Sequence, residues 1–197
     1  MSEKKKNKLL ELPPVSQLEQ ELKREKYRRR YGRTMRSTIY VLITVAAAAV
    51  LIATFWLPVL QIYGASVTPT LQDGDIVVAL KSSEFRQGDV VAFYYNNKIL
   101  VKRVIASAGQ WVDIREDGTV LVDGQELNEP YLEEKAFGDC NITLPYQVPD
   151  ERVFVMGDHR SVSVDSRNTE IGCVAQEQIV GKIALRFWPL NALSIFY

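Results

Sequence analysis

The 197-residue chain carries 24 Lys/Arg, 24 Asp/Glu, two cysteines and one histidine. That length allows one domain with appendages, and a single histidine excludes a multi-histidine metal site. The zero net charge hides an asymmetry: residues 1–36 hold 12 Lys/Arg against 5 Asp/Glu, about +7, and residues 37–197 hold 12 against 19, about −7.

Residues 1–14 are polar, end in Pro-Pro and read as a tail without regular structure. Ser16 and Glu19 have capping-box spacing, and Val15, Leu18 and Leu22 recur at helical intervals, so a short helix is expected there. The basic arm of residues 1–36 either binds nucleic acid or flanks a membrane anchor. The neighbouring segment decides between these: from Ser37 to Tyr63 no residue is charged. About 20 apolar residues suffice to cross the hydrocarbon core, and the run is too long for the apolar core of a cleavable signal. It is read as a transmembrane helix over residues 37–61. Trp56 and Tyr63 suit the far interface, and Pro58 disturbs only the last turns. The eight Lys/Arg of "KREKYRRRYGRTMR" place the N-terminus in the cytoplasm and everything after Tyr63 outside. This reading absorbs the basic arm without nucleic acid and leaves anionic lipid as its partner.

After Ser66 the apolar period becomes two. "DIVVAL", "DVVAFYY", "ILVKRVIA", "WVDIRE", "TVLVDG", "RVFVMG" and "IVGKIALRFW" are short runs rich in Val, Ile and aromatics, separated by turn signals. Residues 62–197 are therefore expected to form a mainly β domain, with "YNNK" and "REDG" as hairpin turns. Residues 128–149, with three prolines, read as a long surface excursion, and "TEIGCVAQEQIVGK" as holding one helical turn. The apolar tail "FWPLNALSIFY" reads as a last core strand or a membrane-contacting patch. Cys140 and Cys173 lie in this exported part, as a disulfide or as free thiols.

Three segments could carry chemistry. "GASVTPTLQDGD" offers Ser66 in a proline-fixed turn, and a serine needs a base to act as a nucleophile. "KILVKRVIAS" offers two cations on opposite faces of a strand, so one of them faces the more buried side. Burial disfavours an ammonium, so a buried lysine can work as a neutral amine, whereas arginine stays charged; the base, if there is one here, is Lys102. "MGDHRSVSVDSRNTEIG" packs serines, aspartates and arginines into what reads as a hydrogen-bonded loop. Taken singly, the lysine strand and the polar loop read as an ordinary strand and an ordinary loop.

Together they resemble, in order and content, the bacterial type of signal peptidase I, a membrane-bound serine protease using a Ser-Lys pair. The resemblance runs from the apolar span to "RFWPL". "SVTPTL" is similar to the family's S-M-x-P-T-L box, which implies Ser66 as nucleophile. "VKRVIASAGQ" is similar to Y-[IV]-K-R-[VI]-[IV]-x-x-x-G-D, which implies Lys102 as general base. "GDHRSVSVDSR" is similar to G-D-N-R-x-N-S-x-D-S-R, which implies Ser163 as the hydroxyl orienting the lysine and Asp165–Arg167 as a supporting pair. The resemblance further implies shallow apolar pockets at Ile62, Val67, Leu71, Leu100 and Val101, an oxyanion donor in the Ser66 backbone N–H, and no cofactor or metal. The substrates implied are signal peptides of exported precursors, cut after an A-x-A-like site by a single-pass, monomeric enzyme of the plasma membrane.

The departures are Val67 for methionine, His159 and Val162 for asparagines, and Gln110 for aspartate; none removes a catalytic group. Some relatives place a second oxyanion donor at the position of Gly64, which has no side chain. A histidine base in this family stands at the position of Lys102, so His159 reads as a loop residue. From Leu60, Ser66 is six residues on, so at about 3.3–3.6 Å per extended residue its Cα lies within roughly 20 Å of the expected span end. Two rival readings are a membrane-anchored scaffold on a degenerate peptidase fold, which loss of Ser66 or Lys102 would signal, and a self-cleaving Ser-Lys repressor, which would need a DNA-binding module at the N-terminus.

Overall fold

A computed structural model describes residues 14–82 and 84–196; the tail expected before Pro14 lies outside these. Two units are distinguished, Met1–Ile52 and Ala53–Tyr197.

The first regular element is one helix, α1, Val15–Trp56. It begins near the expected place, but Ser16 lies inside the first turn rather than capping it: the Gln17 and Leu18 N–H groups donate to the Pro14 carbonyl at 2.8 and 3.3 Å. Instead of a short helix followed by a separate span, the helix runs unbroken through Gly32. Helix propensity penalises a single glycine by only about 1 kcal/mol, and nothing crowds this one. Its charge-free part, residues 37–56, is about 30 Å long at 1.5 Å per residue, the thickness of a bilayer's hydrocarbon core. Ile39, Val41, Leu42, Ile43, Val45, Val50 and Leu51 are all exposed, so this part of the helix is apolar all round, a pattern compatible with a membrane span. The hydroxyls of Thr38 and Thr44 donate back to the carbonyls of Thr34 and Tyr40 at 3.0 and 2.9 Å, so they need no water. This is the one helix among the described residues long and apolar enough to cross a membrane.

The expected span end at residue 61 is corrected. The helix stops at Trp56, and Val59–Gln61 forms strand β1 of the sheet. Pro58 explains the stop, because it disfavours helical geometry at Leu57 before it. The side chain of Trp56 lies outside the described residues, so its interfacial placement does as well.

From Ala53 the unit is mainly β, as expected. After β1 come β2 (Ile76–Leu80), β3 (Val90–Tyr95), β4 (Lys98–Ser107), β5 (Trp111–Ile114), β6 (Val120–Val122), β7 (Gln125–Glu126), β8 (Tyr146–Gln147), β9 (Arg152–Met156), β10 (Val174–Ala175), β11 (Ile179–Trp188) and β12 (Ser194–Ile195). The large sheet runs β1-β2-β11-β3-β4-β9-β10, with β12 on β11, and the small one β7-β6-β5-β8. Both expected hairpin turns form. At "YNNK", Asn96 and Asn97 have φ of 43° and 61°, the left-handed pair that a two-residue turn matched to strand twist requires. At "REDG", the Gly118 N–H donates to the Arg115 carbonyl at 2.8 Å. A short 3₁₀ turn at Gln176–Gln178 meets the expectation of one helical turn.

Both faces of the large sheet are buried at its centre. Along β3, Val90 and Ala92 pack with Ile62, Val67, Leu71 and Ile183, while Val91 and Phe93 pack with Val104, Val153 and Val155. Along β9, Val153 and Val155 share that second cluster, while Phe154 and Met156 join Ile105, Val112 and Val120 beneath the small sheet. Strand β4 lies between β3 and β9, so no side chain at its middle reaches solvent freely.

The excursion of residues 128–149 is only partly superficial. Phe137, Ile142, Leu144 and Tyr146 pack on the core under the small sheet, and Glu129 is buried. In the apolar tail, Phe196 packs inward, but Phe187, Trp188, Leu190, Leu193 and Ile195 stay exposed, so most of this stretch is not core. Both cysteines are free thiols, Cys173 buried and Cys140 partly so. Burial raises the thiol pKa of Cys173 to about 11, so it remains protonated and inert.

Candidate active site

Ser66 sits in the turn between β1 and β2. Gly64 opens that turn with φ +85°, a conformation that costs glycine nothing, and its N–H donates to Asp73 Oδ1 at 2.7 Å. The Ser66 carbonyl accepts the N–H of His159 at 3.2 Å. Its own N–H has no acceptor among the described residues, and its hydroxyl has no partner there.

Lys102 and Arg103 are adjacent on β4, and both are buried, against the expectation that only one would be. The strand is internal and its two faces are both covered. The two cations are answered differently. Arg103 makes a two-pronged pair with Asp158, at 2.8 Å from Nε to Oδ1 and 2.6 Å from Nη2 to Oδ2, and lies 3.9 Å over the Tyr131 ring. Lys102 donates to Ser163 Oγ at 2.9 Å and has no ion-pair partner among the described residues. Its pKa falls from 10.5 to about 8, first because burial opposes the charged form and then because Arg167 repels it; Asp165 and Asp158 pull the other way without winning.

Gly157 joins these parts. A Cβ there would lie 2.2 Å from Ser163 Oγ and 2.3 Å from the Ser66 carbonyl oxygen. The space of one missing methyl therefore brings the Ser66 turn against the hydroxyl that holds Lys102. The loop after β9 is fixed by Asp165, which takes the Gly157 N–H at 3.0 Å and Arg167 Nε and Nη2 at 2.8 Å each. Arg167 also donates to the Phe137 and Arg160 carbonyls at 2.7 and 2.9 Å.

One arrangement has no trace in the sequence motifs. Arg160, fully buried, pairs through both terminal nitrogens with Glu129, and the Tyr131 hydroxyl donates to the same carboxylate at 2.8 Å. Burial and the Glu129 charge push the Tyr131 pKa up. Removing one partner of a buried pair leaves an uncompensated charge and typically costs 3–5 kcal/mol. Glu129→Ala is expected to lower the thermal midpoint by about 10 °C, read by circular dichroism in detergent, with Glu129→Gln intermediate.

A cleft of about 710 Å³ borders Ser66 and is lined mainly by β1 and the start of β4. Of the expected pocket residues, Ile62, Val67, Leu100 and Val101 line it. Leu71 does not: it has no exposed surface and packs behind Ile62 and Val67 in the core. Tyr63, Lys98 and Ile99 also line the cleft, positions to which the sequence motifs assign no pocket role.

The sequence profile of the family described as "Signal peptidase, peptidase S26" matches residues 35–188. Signal peptidase I of Bacillus licheniformis is 32% identical over 171 residues, covering 79% of this chain and 89% of that protein. Signal peptidase IB of Staphylococcus aureus (strain COL) is 36% identical over 174 residues, covering 76% and 89%. A crystal structure of a signal peptidase I from Enterococcus faecalis V583 aligns with a TM-score of 0.44 at 29% identity, over 50% of this chain and 96% of that one. The profile takes in the apolar helix from Met35, the Ser66 turn, β4 and the loop after β9, so the chain belongs to the S26 family of signal peptidases.

Proposed function

We propose that this chain is a membrane-anchored endopeptidase that removes signal peptides from exported precursor proteins, with Ser66 as nucleophile and Lys102 as general base. The observation that carries the reading is Lys102 itself: a buried amine with its pKa brought to about 8, bonded to Ser163, in the same small region as the Ser66 turn. The names of the relatives support the substrate class. The arginine-rich flank of α1 supports a cytoplasmic N-terminus and an outer catalytic unit.

Neutral Lys102 takes the hydroxyl proton as Ser66 Oγ attacks the scissile carbonyl. The oxyanion accepts the Ser66 N–H, which has no competing acceptor among the described residues. The new ammonium gives its proton to the leaving amine, and the C–N bond breaks to leave an ester on Ser66. Water then gives a proton to Lys102 and attacks that ester, and Lys102 returns the proton to Ser66. Ser163 orients the amine, and Asp165 with Arg167 holds the loop that carries Ser163. Ile62, Val67, Leu100 and Val101 present shallow apolar walls suited to small side chains before the cut.

The test is cleavage of an exported precursor by the full chain in detergent, with sequencing of the new N-terminus. One cut after an A-x-A-like site is expected, and no cut in any of several precursors would overturn the reading. The sign of the pH dependence comes from the base: only the free amine works, so kcat/KM rises about tenfold per pH unit below pH 8 and levels off above it.

A further inference from the structure

A peptide cut at Ser66 has two sides, and the apolar cleft accounts for only one. A second cavity, of about 290 Å³, borders the same turn. The chain alternates between the two: Ser66 and Val67 line the cleft, while their neighbours Ala65 and Thr68 line the second cavity. Its opposite wall is polar and comes from Glu133, Glu134 and His159, the last being the residue whose N–H holds the Ser66 carbonyl.

The charge of this cavity is one-sided. Asp158, at its base, is neutralised by Arg103. The other loop arginine nearby, Arg160, is buried and committed to Glu129, and Lys135 is committed to Glu126. Glu133 and Glu134 have no partner among the described residues, and the His159 ring is exposed and unpartnered. Its acidic lining, rather than any lack of apolar surface, sets this cavity apart from the cleft, which no carboxylate lines. It lies across the Ser66 turn from the walls that suit the small apolar residues before the cut.

Resting on the peptidase reading above, we propose that this cavity receives the residues on the far side of the scissile bond, and that Glu133 and Glu134 make it favour basic over acidic side chains there. Two exposed carboxylates contribute modestly, so the expected discrimination is roughly three- to tenfold in kcat/KM. Because the groups face solvent, the preference shrinks as salt is raised.

The test uses precursors identical except for Lys, Ala or Glu at the first two positions after the cut, with the full chain in detergent. Wild type is expected to rank Lys above Glu by that factor. Glu133→Gln/Glu134→Gln is expected to bring the ratio near one, and Glu133→Lys/Glu134→Lys to invert it. Equal rates across the wild-type series, or a preference unchanged in both double variants or by about 0.5 M salt, would overturn the subsite while leaving the peptidase reading intact. Failure to cut any of the three precursors would overturn both.

Discussion

Ser66→Ala and Lys102→Ala are each expected to reduce precursor cleavage by at least about 10⁴-fold, and the double variant to lose no more than either alone. Residues that act as one unit are not additive, because removing either stops the same step. Lys102→Arg separates a base from a mere cation: arginine keeps the charge but does not deprotonate, so it too is expected to be inactive. The losses are not those of an unfolded protein. The lysine pKa is about 8 in the folded chain against 10.5 for a free lysine, so between those values the unfolded chain binds more protons and stability rises with pH. Below about pH 8 the folded state carries a buried ammonium at a cost. Lys102→Met removes that cost, and its thermal midpoint at pH 7 is expected to be no lower than that of wild type. An active Lys102→Arg or Lys102→Met enzyme would overturn the assignment of the base.

Gly157→Ala is expected to lower kcat/KM by about 100-fold or more although it touches no reacting atom. The φ of Gly157 is not in the left-handed region, so the backbone tolerates alanine. What fails is space, since the new methyl would press on the Ser66 carbonyl and on Ser163 at once, and backbone cannot yield as a flexible side-chain tip does. Pushing Ser163 away also alters what Lys102 is bonded to, so the rising limb of the pH profile is expected to shift. A merely destabilised enzyme would keep that limb in place, and this is the measurement that decides.

The parts of the site legible in the sequence are those written in local runs. Ser66, Lys102, Ser163 and the Asp165–Arg167 pair each sit in a short motif, and the period-two strands around them are plain. What was not legible depends on partners distant in sequence. Glu129 looks like one more loop carboxylate until Arg160, 31 residues on, is seen to need it. Leu71 has the right character for a cleft wall, but only the packed sheet reveals that Ile62 and Val67 stand in front of it. Strand β1 falls within the expected apolar span because hydrophobicity alone does not separate a short strand from the end of a helix; Pro58 is the mark that does.

The three proposed chemical groups sit on a turn, a central strand and a loop, and Lys102 and Ser163 are 61 residues apart. No stretch of growing chain holds them together, and no single hairpin does. Proteolytic competence is thus tied to completion of the fold: a nascent or partly folded copy has the serine and the lysine but no site, so the molecule carries its own safeguard in time.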